Sequence, residues 1–354
     1  MTPRMLAATL FLTLLSAGGG FVASLTPMPL PFMLGALLTS GAVAMFQAHR
    51  LPDGYAYPMP IRMFFMAIIG VMVGAQVTSE ILQQIPALGI SIIALTLFTG
   101  LAHAANYQIF RRIGGYDRST AFFSGTPGGL MESLAMGEEA GANLQVLTML
   151  QFMRIILVIS LLPLGLSIWY GVPLGSASGI STEVTPVGLD AVPLALAVGV
   201  AGTILGRWIR LPAGQLTGPL LAAAIVSGTG LAPLPIPQWL INSAQVVIGA
   251  SLGLRFAGMR GKSMLRATWL SFLSVAAMLG LGLALALLVA HVTGVKFDIL
   301  LISYAPGGVT EMALVALSLN ANPALVTLHH IYRIFLTVIG MGVAARWMGL
   351  RGRG

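Results

Sequence analysis

Apolar runs of helix length follow one another from end to end of this 354-residue chain. A helix needs about 20 apolar residues to cross about 30 Å of hydrocarbon, and in lipid only helices and closed barrels satisfy all of their own backbone groups. The runs here are of helix length and lack the alternating ten-residue pattern of a barrel. Twelve can be marked, at approximately 5–24, 30–47, 60–78, 86–108, 118–137, 144–170, 188–206, 213–229, 239–256, 267–291, 297–317 and 323–347. Composition agrees, with 57% hydrophobic residues, 8% charged residues and a mean hydropathy of +0.92, against about 25% charged in an ordinary globular chain. The expected fold is an all-α polytopic membrane protein whose first partner is the lipid bilayer. The start of the chain, Arg4 followed by "MLAATLFLTLLSAGGGFVAS", reads as an uncleaved first span, because many equally apolar segments follow it.

The formal charge of +8 does not point to nucleic acid. Its Lys and Arg residues are scattered over short loops, without the basic face or stacking aromatics that such binding uses, and they serve better as topology signals. The absence of cysteine excludes structural disulfides, thiolate metal sites and cysteine nucleophiles.

The second six segments repeat the first. A shift of 179 residues lays 126–155 on 305–334 without a gap, with nine identities: Pro127/Pro306, Gly128/Gly307, Gly129/Gly308, Glu132/Glu311, Ala142/Ala321, Asn143/Asn322, Thr148/Thr327, Arg154/Arg333 and Ile155/Ile334. Chance gives roughly two or three for such a composition. The same shift aligns "IGVMVG" (69–74) with "IGASLG" (248–253), both Gly-x-x-x-Gly patterns that let helices approach closely. A shift of 183 aligns "MLGALL" (33–38) with "LTGPLL" (216–221). The expected organisation is an N-terminal membrane repeat over 1–175 and a C-terminal one over 185–354.

Loop charge sets the expected orientation. With six full spans per half the repeats are parallel, and two basic loops then fall outside, against the positive-inside rule. If the segments at 118–137 and 297–317 instead enter and leave on one side, and the N-terminus is inside, fifteen of the eighteen basic residues become cytoplasmic or border the cytoplasm. They are Arg4, Arg50, Arg62, Arg111, Arg112, Arg118, Arg207, Arg210, Arg255, Arg260, Lys262, Arg266, Arg346, Arg351 and Arg353. Lys296 alone lies outside, while Arg154 and Arg333 fall within apolar segments. Each half then has about five spanning helices plus one interrupted, re-entrant segment, the halves are inverted, and both termini are cytoplasmic. Inverted repeats with broken segments in corresponding positions are the general plan of many secondary transporters.

The interruptions are "SGTPGGLMESLAMG" (124–137) and "SYAPGGVTEMALVA" (303–316). Proline removes a backbone donor and a Gly-Gly pair permits dihedrals no helix uses, so each segment must break there. Unwound backbone at membrane depth is tolerated only where protein buries it or a wet cavity meets it. The short helices that resume after each break should aim their N-termini at the protein's middle and offer an anion site. Glu132 and Glu311 fall on about the third residue of these helices. They either cap orphan N–H groups or take up a proton or Na⁺ in a low-dielectric cavity. Arg154 and Arg333 each follow their Glu by 22 residues, so each either forms an intramembrane ion pair with it or recognises a substrate anion. Asn143/Asn322 and Thr148/Thr327 are expected to tie each hairpin to the next helix by hydrogen bonds. Where the halves differ, Thr126 and Gln151 face Ala305 and His330. His330 is either a packing residue or a proton carrier, and Ser124, Ser303 and Tyr304 can offer hydroxyls beside the breaks.

The doubled Pro-Gly-Gly-x-x-Glu, each followed by Asn and then Arg at 143/154 and 322/333, resembles the AbrB-type bacterial membrane proteins over nearly the whole chain. That resemblance implies a duplicated membrane domain in a bacterial inner membrane. It also brings the labels ammonia monooxygenase and regulator of gene expression. Oxygen activation needs clustered imidazole or carboxylate ligands, yet of the five histidines only His329 and His330 adjoin, and neighbours on a helix point about 100° apart. No metal, cofactor or enzymatic activity is therefore expected. Regulation would have to be indirect, since no soluble DNA-binding module is present. The expected function is a secondary transporter of a small solute, an organic anion or amino acid, coupled to H⁺ or Na⁺ and working by alternating access. A passive channel is the weaker membrane reading, and the chain is compatible with a homo-oligomer.

Overall fold

The computed structural model describes residues 2–26, 28, 30–52, 54–77, 85–171, 192–209, 211, 214–257, 261–319 and 321–350. The junction between the expected repeats, at 175–185, lies outside them, as do Arg210, Arg260, Arg351 and Arg353. Among the described residues the fold is all helical. The first half contains α1 (Pro3–Ser24), α2 (Pro31–Phe46), α3 (Met59–Gly74), α4 (Ile85–Gln108, running on into a π-turn over Ile109–Ile113), α5 (Arg118–Ser124), α6 (Leu130–Glu139) and α7 (Leu144–Tyr170). The second half repeats that order with α8 (Val192–Trp208), α9 (Gly214–Gly228), α10 (Gln238–Gly253), α11 (Gly261–Thr293), α12 (Phe297–Tyr304), α13 (Val309–Ser318) and α14 (Pro323–Trp347). Each of the twelve apolar segments is helical over its described residues apart from its ends, and the two carrying Pro-Gly-Gly are split into the pairs α5/α6 and α12/α13.

Local chemistry sets several boundaries. Proline occupies the first turn of α1, α2 and α3, where its missing N–H costs nothing. Thr2 caps α1 by accepting from the Met5 N–H, and Asp117 caps α5 by accepting from the Thr120 N–H at 2.9 Å. Among the described residues five helices are long and apolar enough to cross a membrane, at 3–24, 88–113, 144–170, 264–293 and 323–347. Other apolar helices are shorter. At 16 residues and about 1.5 Å per residue, α2, α3 and α10 reach only about 24 Å.

The helices sort into two compact units, and each unit takes equivalent elements from both halves. The first gathers α1–α3 and α8–α10. Within it, helices pair crosswise: α3 packs on α9 and α2 on α10. A Cβ built on Gly70 or Gly74 would fall within 3.0 Å of the Leu216 or Leu220 carbonyl oxygen. One on Gly249 or Gly253 would meet that of Met33 or Leu37 in the same way. The two repeated sequence patterns thus close against each other, glycine face to backbone, where the dense packing of a helix seam leaves no room for a side chain.

The second unit gathers α4–α6, most of α7, α11, α12, the start of α13 and most of α14. Both helix breaks belong to it. Phe122, Phe123 and Leu147 pack with Met341 and Ala345 in its core, which fixes the first break against α14.

Candidate functional site

The chain leaves helical geometry at 125–129 and 305–308. Gly125 to Gly129 are all buried, as are Ala305, Pro306 and Gly307. The second glycine of each pair has different surroundings in each break. Gly129 has φ +64°, in the left-handed region that side chains disfavour. At Gly308 a Cβ would collide with the Glu311 carboxylate. Glu132 and Glu311 stand in the first turns of α6 and α13, where an acidic group complements the positive helix end.

The arginines complement the opposite ends. Arg154 Nη1 donates to the Thr126 carbonyl oxygen just beyond the C-terminus of α5. Arg333 Nη1 donates to the Ala305 carbonyl oxygen at 2.6 Å and to that of Tyr304 at 3.3 Å, and its Nη2 donates to that of Gly307 at 3.0 Å. Both side chains are buried, at 5% and 1% exposure. Each guanidinium thus engages main-chain carbonyls of its own break, and Arg154 does so without the ion pair to Glu132 that the spacing allowed. The reason is that a broken helix strands its last carbonyls in a buried site, where an unpaired acceptor is costly and a planar cation answers both its hydrogen bonding and its partial charge.

The halves then diverge. In the first, Thr126 Oγ1 and Ser133 Oγ lie 2.7 Å apart. Gln151 Nε2 donates to Thr126 Oγ1 at 2.7 Å and to the carbonyl oxygens of Phe123 and Ser124 at 3.0 and 3.2 Å. In the second half Ala305, Met312 and His330 occupy the corresponding positions, and this knot has no counterpart. Both ring nitrogens of His330, Ser303 Oγ, Thr327 Oγ1, Thr337 Oγ1 and Arg333 Nε are buried without a hydrogen-bond partner. In the first half the same holds for Ser124 Oγ, Gln151 Oε1 and Arg154 Nε. Tyr304 turns away into a separate chain, in which Ser91 Oγ lies 2.9 Å from its hydroxyl and 2.8 Å from His329 Nε2.

The remaining expected residues are structural. Exposed Asn143 accepts the Val146 N–H at 3.1 Å, and its own N–H donates to Thr120 Oγ1 at 2.8 Å. Asn322 accepts the Ala324 N–H at 3.0 Å. The asparagines thus make the expected ties from hairpin to helix. Thr327 does not share in them, because its hydroxyl is left without a partner, and Thr148 is only partly buried.

Three further residues support the site. Asn106 Nδ2 donates to the Gly125 carbonyl oxygen at 3.0 Å and is itself held by Ser274 Oγ at 2.7 Å. Ser91 anchors the Tyr304 chain. Thr337 lies on the same face of α14 as Thr327, His330 and Arg333, at helical spacing. A Cβ at Gly128 would lie 3.5 Å from Thr337 Oγ1 and 3.6 Å from Arg333 Nε. Thr337 also lines a cavity of about 500 Å³ between α4 and α14, together with Thr99, His103, Phe122, Leu336 and Met341. No group of three metal-ligating side chains occurs among the described residues.

Residues 32–349 match the family described as "Transition state regulatory protein AbrB". The chain is also similar to "Uncharacterized protein YhjN" of Bacillus subtilis (strain 168), with 26% identity over 92% of this chain and 88% of that protein. It is 25% identical to "Putative regulator AbrB" of Escherichia coli (strain K12), over 93% of this chain and 92% of that protein.

Proposed function

The chain belongs to the AbrB family, and on that premise we propose that it is a secondary transporter of a small solute, an organic anion or amino acid, embedded in a bacterial inner membrane. The observation that carries this reading is the pair of buried helix breaks in corresponding places of the two halves, each with an arginine at one end and a glutamate at the other. Irregular backbone at membrane depth is expected where it meets a solute path. The solute would bind at the breaks while Glu132 or Glu311 exchanges a proton or Na⁺, and alternating access would follow from inverted halves with both termini cytoplasmic. The chain would act as a carrier and not as an enzyme. Reconstituted protein provides the test: wild type should show saturable, coupled uptake, and Glu132→Gln and Glu311→Gln should each lose the coupling. Normal coupled uptake in both variants would remove the glutamates from the mechanism.

A second reading is favoured by the name of the Escherichia coli relative, a role in regulation of gene expression. With a chain of this composition such a role would be exerted through the transported solute or a partner protein. A deletion strain whose expression changes are reversed by supplying the solute would unite the two readings.

A further inference from the structure

We propose that the first break and α14 form a binding site for a zwitterionic α-amino acid with an apolar side chain, an inference that rests on the transport reading above and narrows its solute. Gly128 and Gly129 present bare backbone to α14, and the chemistry facing them differs in sign. Opposite Gly128 are Arg333 Nε and Thr337 Oγ1, 3.6 and 3.5 Å from where a Cβ would stand, both buried and without a partner. Three of the five N–H groups of Arg333, all on its Nη atoms, are held by carbonyls, and Nε is a donor left without a partner. Opposite Gly129 is Glu132 Oε2, 3.4 Å from the Cβ position. A donor pair carrying positive charge and a carboxylate thus stand over adjacent residues, whose Cα atoms are about 3.8 Å apart.

A simple carboxylate in this place would meet Glu132, and a simple amine would meet Arg333. A molecule with carboxylate and ammonium on one carbon answers both, and it also satisfies donors that are otherwise buried unpaired. The absence of side chains at Gly128 and Gly129 lets those charged groups approach the main chain. The rest of the ligand is set by the cavity that Thr337 shares. About 500 Å³ lies within the usual range for small-ligand pockets, and Phe122, Leu336 and Met341 on its walls favour an apolar side chain. The equivalent place in the second break is closed to a ligand, because a Cβ on Gly307 would run into the Met312 side chain, within 3.0 Å. Of the two breaks, the first is the one open to the ligand.

Three probes of nearly equal shape test this with the purified full-length protein: L-leucine, 4-methylpentanoate, which lacks the ammonium, and 3-methylbutylamine, which lacks the carboxylate. Leucine should raise the unfolding midpoint, and both analogues should bind at least tenfold more weakly. Thr337→Val, nearly isosteric, and Gly128→Ala, which fills the cradle, should each weaken leucine binding at least tenfold. Gly280→Ala, with no atom within 4 Å of the new Cβ, should leave it unchanged. Equal or tighter binding of 4-methylpentanoate overturns the zwitterion, as does leucine binding that Thr337→Val and Gly128→Ala leave intact. Leucine bound but not moved in proteoliposomes overturns the transport reading and leaves the site standing. Uptake of 4-methylpentanoate with leucine ignored does the reverse.

Discussion

Arg333 Nη2 holds the Gly307 carbonyl oxygen at 3.0 Å, so a charge 22 residues beyond Glu311 in the sequence is fastened to the main chain of the break. Each interruption thereby gains a cation at the helix end that is partially negative and an anion at the end that is partially positive. This arrangement makes an unwound segment tolerable in a buried setting.

Arg333→Ala strands three carbonyl oxygens, and each orphaned buried acceptor costs about 1–3 kcal/mol. We expect a loss of about 3 kcal/mol or more in detergent unfolding. Arg333→Lys should recover only part of it, because the three donors of a compact ammonium lack the spread of the planar guanidinium. Unchanged stability in Arg333→Ala would remove this structural role.

The crosswise seam predicts a contrast between glycines. Gly249→Ala places a methyl against the Met33 carbonyl and should cost about 1–3 kcal/mol through forced separation of α2 and α10. Gly280→Ala, in open space within α11, should be neutral or stabilising by up to about 1 kcal/mol. Equal effects at the two positions in denaturant titrations would contradict the seam.

The paired break glycines should respond to different rescues. Gly129→Ala should cost about 1–2 kcal/mol from its left-handed backbone, and Gly129→Asn less, since asparagine tolerates that conformation. At position 308 asparagine should bring no relief, whereas Gly308→Ala combined with Glu311→Ala should remove the collision. Unfolding midpoints of the five proteins decide this.

The natural lack of cysteine gives a clean background for mapping orientation. Glu138→Cys and Arg207→Cys should react with an impermeant thiol reagent from the same side, and Lys296→Cys from the opposite side. Residues 138 and 207 reacting on opposite sides would exclude the inverted arrangement.

Much of this architecture was legible in the sequence because lipid-scale helices have few ways to be written. The twelve apolar runs, both breaks and the first-turn placement of Glu132 and Glu311 follow from hydropathy, Pro-Gly-Gly and spacing. The ends to which Arg154 and Arg333 reach were not legible, since a 22-residue separation is compatible with either charged end of the break. Ser91, Asn106 and Thr337 escaped because internal comparison highlights matched positions. At the shift of 179 their counterparts are Leu270, Leu285 and Val158, all apolar. Thr337 nevertheless had a signal, its place ten residues after Thr327 and four after Arg333, along one face of α14.

Neither copy of the repeat covers its own Gly-x-x-x-Gly pair: Gly70 and Gly74 rest on Leu216 and Leu220, and Gly249 and Gly253 rest on Met33 and Leu37. A lone half would carry a bare backbone groove and, opposite it, the ridge that fits such a groove on a second molecule. The full chain is in this sense a dimer folded into one polypeptide. Its two copies are mutually bound in evolution, because a side chain gained in either seam must be accommodated by the other copy.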